Sequence, residues 1–378
     1  MSPARIGAGV TWTKSNSISA ESRFSLALIM KTQFTDRRVL LTGAGGSIGS
    51  ALAKAILSGG PRSLILLDHS EHNLHQIDFD LRALPGGQVC SPILGDLGDA
   101  ALLAEIFEER APDFVVHAAA FKHVPLMEKN PIPTIRNNAL GTNLLAQAAH
   151  RHGVTALVMV STDKAVNPHS VMGASKRLAE LALLRWSGPR NPMRAVRLGN
   201  VLNSQGSVAP IFRRQISAGG PVTVTHPAVN RYFLTMQRAV ELVLLATNLG
   251  DEGGIFISDF GEPVRILDLA HELIKEAGLQ PGIDIPIVRT GLRPGDKLSE
   301  ELFSDRESIH PTNIAKLRRV QTPQPSDEEF DSAMSALQEN ADRRDVAGLL
   351  EQVSRLVPEY RPSDVILAAA HAPQSAAL

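Results

Sequence analysis

Two short stretches hold most of the residues whose types and spacing suit chemistry. Residues 42–49 read TGAGGSIG. Gly43, Gly46 and Gly49 have the spacing of a strand–turn–helix that cradles a pyrophosphate, and Gly45 adds a further bare backbone. Ser47, Ile48 and Gly49 open the next helix, so their free N–H groups point at the phosphates. Downstream, LILLD places Asp68 at the end of a second strand. A carboxylate there suits both ribose hydroxyls of an adenosine and repels a 2′-phosphate. Glycines, helix and acid together point to NAD rather than NADP. A turn of this kind also occurs for packing alone, but then the acid has no reason to follow. Asp96 and Leu97, after a third strand, either flank the adenine or sit in a solvated turn.

The second stretch, residues 161–176, reads STDKAVNPHSVMGASK. It follows an apolar strand, so Thr162, Asp163 and Lys164 fall at the C-terminal edge of a sheet, where open α/β sheets bind ligands. Adjacent Asp163 and Lys164 offer an acid and a base; the plainer alternative is an ion pair on a loop. Met172 and Lys176 are four apart in a predicted helix and share one face, from which Lys176 reaches a nicotinamide ribose. Lys122 and His123 follow a fourth strand at the same edge. Lys122 suits a hydroxyl or phosphate, and His123 equally suits a satisfied structural role.

These groups need a scaffold. Apolar runs at Val39–Leu41, Leu64–Leu67, Val89–Ile93, Phe114–His117, Leu157–Val160 and Ala195–Leu198 alternate with segments of helical period. The pattern predicts an α/β, Rossmann-type doubly wound parallel sheet. Residues 1–35 read as a flexible leader, 36–200 as the NAD-binding domain and 201–325 as a smaller C-terminal α/β substrate lobe. Residues 326–378 read as C-terminal helices with a tail that frays from Ala368. A net charge of -1 provides no field to recruit nucleic acid or anionic membrane. The single cysteine, Cys90, excludes an internal disulfide and a thiolate metal cluster, as suits the cytoplasm. The apolar run Leu26–Met30 is too short for a signal peptide or a membrane span.

The glycine turn, HAAAFKHVPLMEKNP at 117–131, STDKAVNPHSVMGASKR at 161–177, VRLGNVLNSQGSV at 196–208, RYFLT at 231–235 and LRPGDKLSEEL at 292–302 together resemble nucleotide-sugar 4,6-dehydratases. These are extended short-chain dehydrogenases/reductases, and the similarity is greatest to the polysaccharide-biosynthesis branch that acts on UDP-N-acetylglucosamine. It covers roughly residues 36–320. The resemblance implies that hydride leaves carbon 4 of the sugar, water is lost across carbons 5 and 6, and hydride returns to carbon 6. It implies Lys164 as base, Asp163 as acid and Thr162 as partner of the 4-hydroxyl. It sets Ala118 and Ala119 beside the cofactor. It assigns the diphosphate to Asn200, Asn203, Ser207, Arg231 and Arg293, and the uridine ribose to Glu300. The wider group has a Tyr four residues before the Lys, whereas this chain has Met172, as the polysaccharide branch does. Self-association into a homo-oligomer is implied as well. Two other readings stay open: a UDP-sugar 4-epimerase, which should keep the Tyr, and a non-catalytic NAD-binding protein.

Overall fold

The computed structural model describes residues 33–371. Its centre is a nine-stranded sheet. Six strands run parallel: β1 (Arg38–Thr42), β2 (Ser63–Asp68), β3 (Cys90–Leu94), β4 (Phe114–His117), β5 (Ala156–Thr162) and β6 (Met193–Leu198). Their order across the sheet is 3-2-1-4-5-6. The winding therefore reverses between β1 and β4, which leaves a crevice at their C-terminal ends. β1, β2, β4 and most of β5 are apolar runs because both faces are covered; β3 is partly exposed and β6 carries two buried arginines. Val39 and Leu41 enter one core while Leu40 enters the other, and Leu64 and Leu66 alternate with Ile65 and Leu67 in the same way.

The sequential domain boundaries are redrawn in three places. Phe34 is fully buried and meets Phe114 edge-to-face at 5.7 Å, so the fold begins within the expected leader, the rest of which lies outside the described residues. Residues beyond 200 are shared between two bodies. Gly254–Ile257 adds to β6 in parallel, and Arg318–Gln321 and Ser308–Pro311 extend the main sheet antiparallel. The helix Met236–Ala246 packs on that sheet too, because its apolar face matches the core under β1 and β5. The lobe proper is smaller: helices Val208–Ser217 and Ile266–Glu276, with Val222–Val224 paired in parallel to Ile287–Arg289, around Phe212, Ile216 and Leu273. Ala368, the expected start of a frayed tail, falls in the helix Asp364–His371; residues 372–378 lie outside the described residues.

The helical segment expected from residue 326 consists of two helices, Asp327–Asp342 and Val346–Leu356, before the last one. They cover a third core, in which Phe330, Leu337, Leu349 and Val353 pack against Val171, Met172, Leu178 and Leu181. Those last four lie on the helix Val171–Trp186, which carries Lys176. Each such side chain contributes about 1.5–3 kcal/mol through burial. The C-terminal helices thus hold the helix that carries Lys176 down from outside.

The other side of that helix is held by charge. Glu180 is fully buried. It accepts from Ser161 Oγ at 2.7 Å, from Arg197 Nε and Nη2 at 2.9 Å each, and from Arg177 Nη1 at 3.2 Å. Arg197 turns its remaining donors to Glu307, at 2.8 and 2.9 Å. Burial pushes the Glu180 carboxyl upward, but Arg197 and Arg177 outweigh it and hold the group below its ordinary value. Removing one partner from such a cluster leaves uncompensated charge in the interior. Arg197→Met should therefore lower stability by about 3–5 kcal/mol, read as a fall in the denaturant midpoint; a midpoint within error of wild type would show that the network contributes nothing.

Candidate active site

The glycine turn folds as its sequence requires. Gly43 has φ +66°, and a Cβ there would lie 2.5 Å from the Ala119 nitrogen. A Cβ on Gly49 would lie 1.9 Å from the Gly43 carbonyl oxygen. Gly46 differs, since a Cβ would meet only the Gly43 oxygen, at 3.3 Å; its bareness faces the cleft. The helix Ser47–Ser58 starts there without a side-chain cap, which leaves its first N–H groups for an anion. Gly45 is bare for another reason, because its Cα lies against the Asn73 backbone.

Asp68 closes this end. Its Oδ2 accepts from the Gly45 N–H and its Oδ1 from the Ser70 N–H, both at 2.9 Å. Each oxygen keeps a lone pair for a hydroxyl. Leu97, Ala118 and Ala119 line the same cleft. Asp96 does not; it is exposed and accepts from the Gly98 N–H at 2.7 Å, as in the solvated-turn reading. Bare glycine backbone, an uncapped helix start and a ribose-facing acid fit a dinucleotide.

The cleft measures about 970 Å³, at the upper end for small-molecule sites. It runs from the glycine turn past Thr162, Lys164, Met172 and Lys176 to Arg293. β5 extends to Thr162, and Asp163–Ala165 forms a single 3-10 turn. Thr162 Oγ1 accepts from the Lys164 N–H at 3.3 Å and donates to Asp163 Oδ1 at 3.0 Å. Lys164 Nζ donates to Asp163 Oδ1 at 2.8 Å and to Asn200 Oδ1 at 2.9 Å. Asp163 is fully buried with its Oδ2 unpartnered, whereas the Lys164 side chain is 21% exposed. The pair is therefore no surface ornament. Burial draws the Lys164 pKa down, but Asp163 and Glu300 more than reverse this and leave it raised.

Lys176 has the opposite character. It is buried below the cleft, and desolvation lowers its pKa to about 8, with only partial relief from Glu180. His117 lies nearby, fully buried. Thr142 Oγ1 gives its proton to the Asn138 carbonyl at 2.6 Å, so it accepts from His117 Nε2 at 2.9 Å, and Nδ1 accepts from Thr42 at 2.7 Å. Burial, then Lys176, holds this imidazole neutral. Asn138 pins the wall after β4: its amide takes the Phe121 N–H and donates to the Phe121 carbonyl, at 2.8 and 2.9 Å.

The remaining residues divide. Lys122 and His123 both line the cleft, and burial lowers the pKa of each. Lys122 Nζ donates to the Gln205 carbonyl at 2.8 Å, while the Gln205 N–H donates to Ser47 Oγ at 3.0 Å. Gln205, missed in the sequence, thus ties the loop after β6 to two other walls; its side chain takes no part, so no residue-type signal marked it. Ser207 Oγ is buried without a partner and borders the cleft. Arg293 stands at the mouth, bonded to Asp296 at 2.8 Å.

Of the four other expected substrate contacts, Asn200 and Arg231 line the cleft, whereas Asn203 and Glu300 do not. Asn200 spends its oxygen on Lys164. Asn203 lies outside the lining and accepts from Arg213 at 2.8 Å. Arg231 borders the cleft but gives its terminal nitrogens to the carbonyls of Asn230, Lys297 and Leu298, and so braces that loop. Glu300 sits 3.7 Å from Lys164 and 3.5 Å from Arg231, outside the main cleft.

A titration follows from Lys176. Between pH 8 and its ordinary 10.5, the unfolded chain holds a proton that the folded protein has shed. This group therefore makes the fold gain stability as pH rises through that window, and below it costs about 3 kcal/mol. Lys176→Met should raise the melting temperature of cofactor-free protein at pH 7 by a few degrees and flatten that slope. A lower melting temperature with the slope intact would contradict this account.

The chain matches the family model described as "Polysaccharide biosynthesis protein" over residues 39–322. It is 46% identical over 292 residues to the capsular polysaccharide biosynthesis protein CapD of Staphylococcus aureus, covering 76% of this chain and 48% of that one; the chain spans about half that relative's length. It is 32% identical to the inverting UDP-N-acetylglucosamine 4,6-dehydratase of Campylobacter jejuni, over 73% of this chain and 80% of that one. A UDP-glucose 4-epimerase of Rickettsia conorii is 31% identical over 76% and 83%. Among solved structures, Pen from Bacillus thuringiensis superposes with a TM-score of 0.70 at 28% identity, over 77% of this chain and 91% of that one. DesIV, a dTDP-glucose 4,6-dehydratase from Streptomyces venezuelae with NAD bound, gives 0.60 at 26%, over 70% and 88%. Among the described residues no helix is long and apolar enough to cross a membrane. With its Rossmann sheet, its glycine turn and its Thr-Asp-Lys segment in one cleft, the chain belongs to the polysaccharide biosynthesis protein family of extended short-chain dehydrogenases/reductases.

Proposed function

We propose that the protein is an NAD-dependent nucleotide-sugar 4,6-dehydratase that converts UDP-N-acetylglucosamine to its 4-keto-6-deoxy product for surface polysaccharide or glycan synthesis. The observation that carries this reading is the Asp163–Lys164 pair, hydrogen-bonded at 2.8 Å beneath the same cleft as the glycine turn. NAD, held by Gly43, Gly46, Ser47 to Gly49, Asp68 and Lys176, supplies a hydride acceptor that returns its hydride within one turnover. The other steps fall to side chains.

Elimination across carbons 5 and 6 needs a base for the carbon-5 proton and an acid for the 6-hydroxyl. At rest the pair is an ammonium and a carboxylate, the wrong way round for Lys164 as base. One proton shift along their hydrogen bond, from Nζ to Oδ1, makes an amine and a carboxylic acid with no change of net charge. Covering the cleft with a sugar favours that neutral pair, since desolvation penalises both ions. Lys164 then takes the carbon-5 proton and Asp163 gives its proton to the departing hydroxyl; when carbon 6 is reduced, Lys164 returns a proton to carbon 5 and regains one from solvent, matching the proton that the 4-hydroxyl released, and the pair is restored. Thr162 Oγ1, at the end of β5, is placed to bond the 4-hydroxyl. Met172 stands where related enzymes carry a phenol; it borders the cleft as an apolar wall, so the 4-hydroxyl proton passes by way of Thr162 to water in the cleft.

Incubation of purified protein with UDP-N-acetylglucosamine should remove one water by mass and give a new methyl signal by proton NMR, which also reports the carbon-5 configuration. Unchanged mass with inverted carbon 4 would instead make the protein an epimerase, a reading the epimerase relatives keep in view. Lys164→Ala should bind the sugar nucleotide and lower turnover at least about a hundredfold; near-normal turnover would remove the base role. Arg293→Ala should raise KM more than it lowers kcat, as loss of ground-state phosphate binding does. The opposite split would place Arg293 in the chemical step.

A further inference from the structure

Glu300 is unused by the mechanism above, yet it is among the most buried carboxylates in the protein. Its side chain is 3% exposed and its Oε2 has no hydrogen-bond partner. Its Oε1 lies 3.7 Å from Lys164 Nζ, on a different element from Asp163. The groups that face this pair are few. Asp163 comes from the turn after β5, Asn200 from the segment after β6, Arg231 from its two-residue strand, and Lys297 from the same segment as Glu300. Asp296, Lys297 and His169 line, with Lys164 and Glu300, a separate cavity of about 10 Å³. Arg231 approaches Oε1 at 3.5 Å while its other nitrogens hold the carbonyls of Lys297 and Leu298. Arg231 is therefore fixed by the backbone around it, and the Glu300 carboxylate lies between that guanidinium and the Lys164 amine.

We infer that Glu300 is a positioning residue for Lys164: it orients the amine and stabilises the positive charge the amine gains on taking a proton, so the segment that carries Arg293 and Asp296 at the cleft mouth also sets the strength of the base. The inference rests on the reading of Lys164 as base. Two carboxylates on two elements flank one amine, one at 2.8 Å and one at 3.7 Å. The nearer takes part in the proton shift. The farther keeps its charge beside the lysine while the nearer is protonated. Desolvation raises the pKa of Glu300, and Lys164 pulls it back toward ionisation. The two groups thus each favour the charged form of the other.

The test uses the full chain loaded with NAD and labelled at lysine with 13C and 15N. The Lys164 signal is assigned by its loss in Lys164→Arg. In wild type it should titrate above the exposed lysines. Glu300→Gln, close in shape and without charge, should move that titration down by about one pH unit. It should also shift the falling, alkaline limb of kcat to lower pH, with a plateau about tenfold lower and KM within about twofold. Glu300→Asp should keep the Lys164 titration near that of wild type. A merely structural role would lower the plateau and leave the limb where it was. The inference is overturned if wild-type Lys164 titrates with the exposed lysines, a result that needs no variant, or if Glu300→Gln leaves its titration unmoved. If the titration moves as expected but wild type does not dehydrate the sugar, the charge coupling stands and the dehydratase reading falls.

Discussion

Glu180 is the point on which the geometry of the cleft depends. One buried carboxylate joins Ser161 on β5, Arg197 on β6 and Arg177 on the helix between them. Ser161 precedes Thr162, Asp163 and Lys164; Arg177 follows Lys176. These side chains therefore inherit their positions from a charge cluster one residue away. A parallel sheet alone fixes the height of β5 but not the rotation of the helix packed on it. Ionic contacts in a dry interior tie that rotation to the strands, because breaking any one of them leaves charge uncompensated. Apolar packing from the C-terminal helices then closes the opposite side.

The two lysines of the site show how burial and charge divide labour. Lys176 is desolvated with little compensation and loses proton affinity. Lys164 is flanked by carboxylates and gains it. Both belong to one short segment, and nothing in their residue type distinguishes them. The difference comes from their neighbours: Asp163 beside Lys164 first, then Glu300, which lies more than a hundred residues away in the chain.

Much of the fold was legible in the sequence, because a strand buried on both faces must be written as an unbroken apolar run. Phe114–His117 agrees to the residue, and the other five strands agree within one or two. The glycine turn and Asp68 were legible for the same reason: backbone geometry there leaves few choices of residue. What could not be read was long-range. The return of Gly254–Ile257 and Arg318–Gln321 to the main sheet depends on edge pairing, which leaves no local pattern. Arg231 and Glu300 have the residue types of a phosphate and ribose site, and only tertiary packing turns them toward backbone and Lys164. Arg194 and Arg197 interrupt an apolar strand and look like solvated positions, although both are fully buried.

The C-terminal stitching bears on how the chain acquires its shape during synthesis. Ser363 donates to Glu128, Glu128 accepts from the Val171 N–H at 2.7 Å, and the Arg361 N–H donates to the Pro168 carbonyl at 2.9 Å. A ribosome delivers β1 to β6 well before it delivers these residues, so the sheet can assemble vectorially while the outward face of Met172, Leu178 and Leu181 still lacks its cover. The helix that bears Lys176 is thus the last part of the nucleotide-binding half to be secured. A nascent chain stalled before residue 326 would present that sticky face to chaperones.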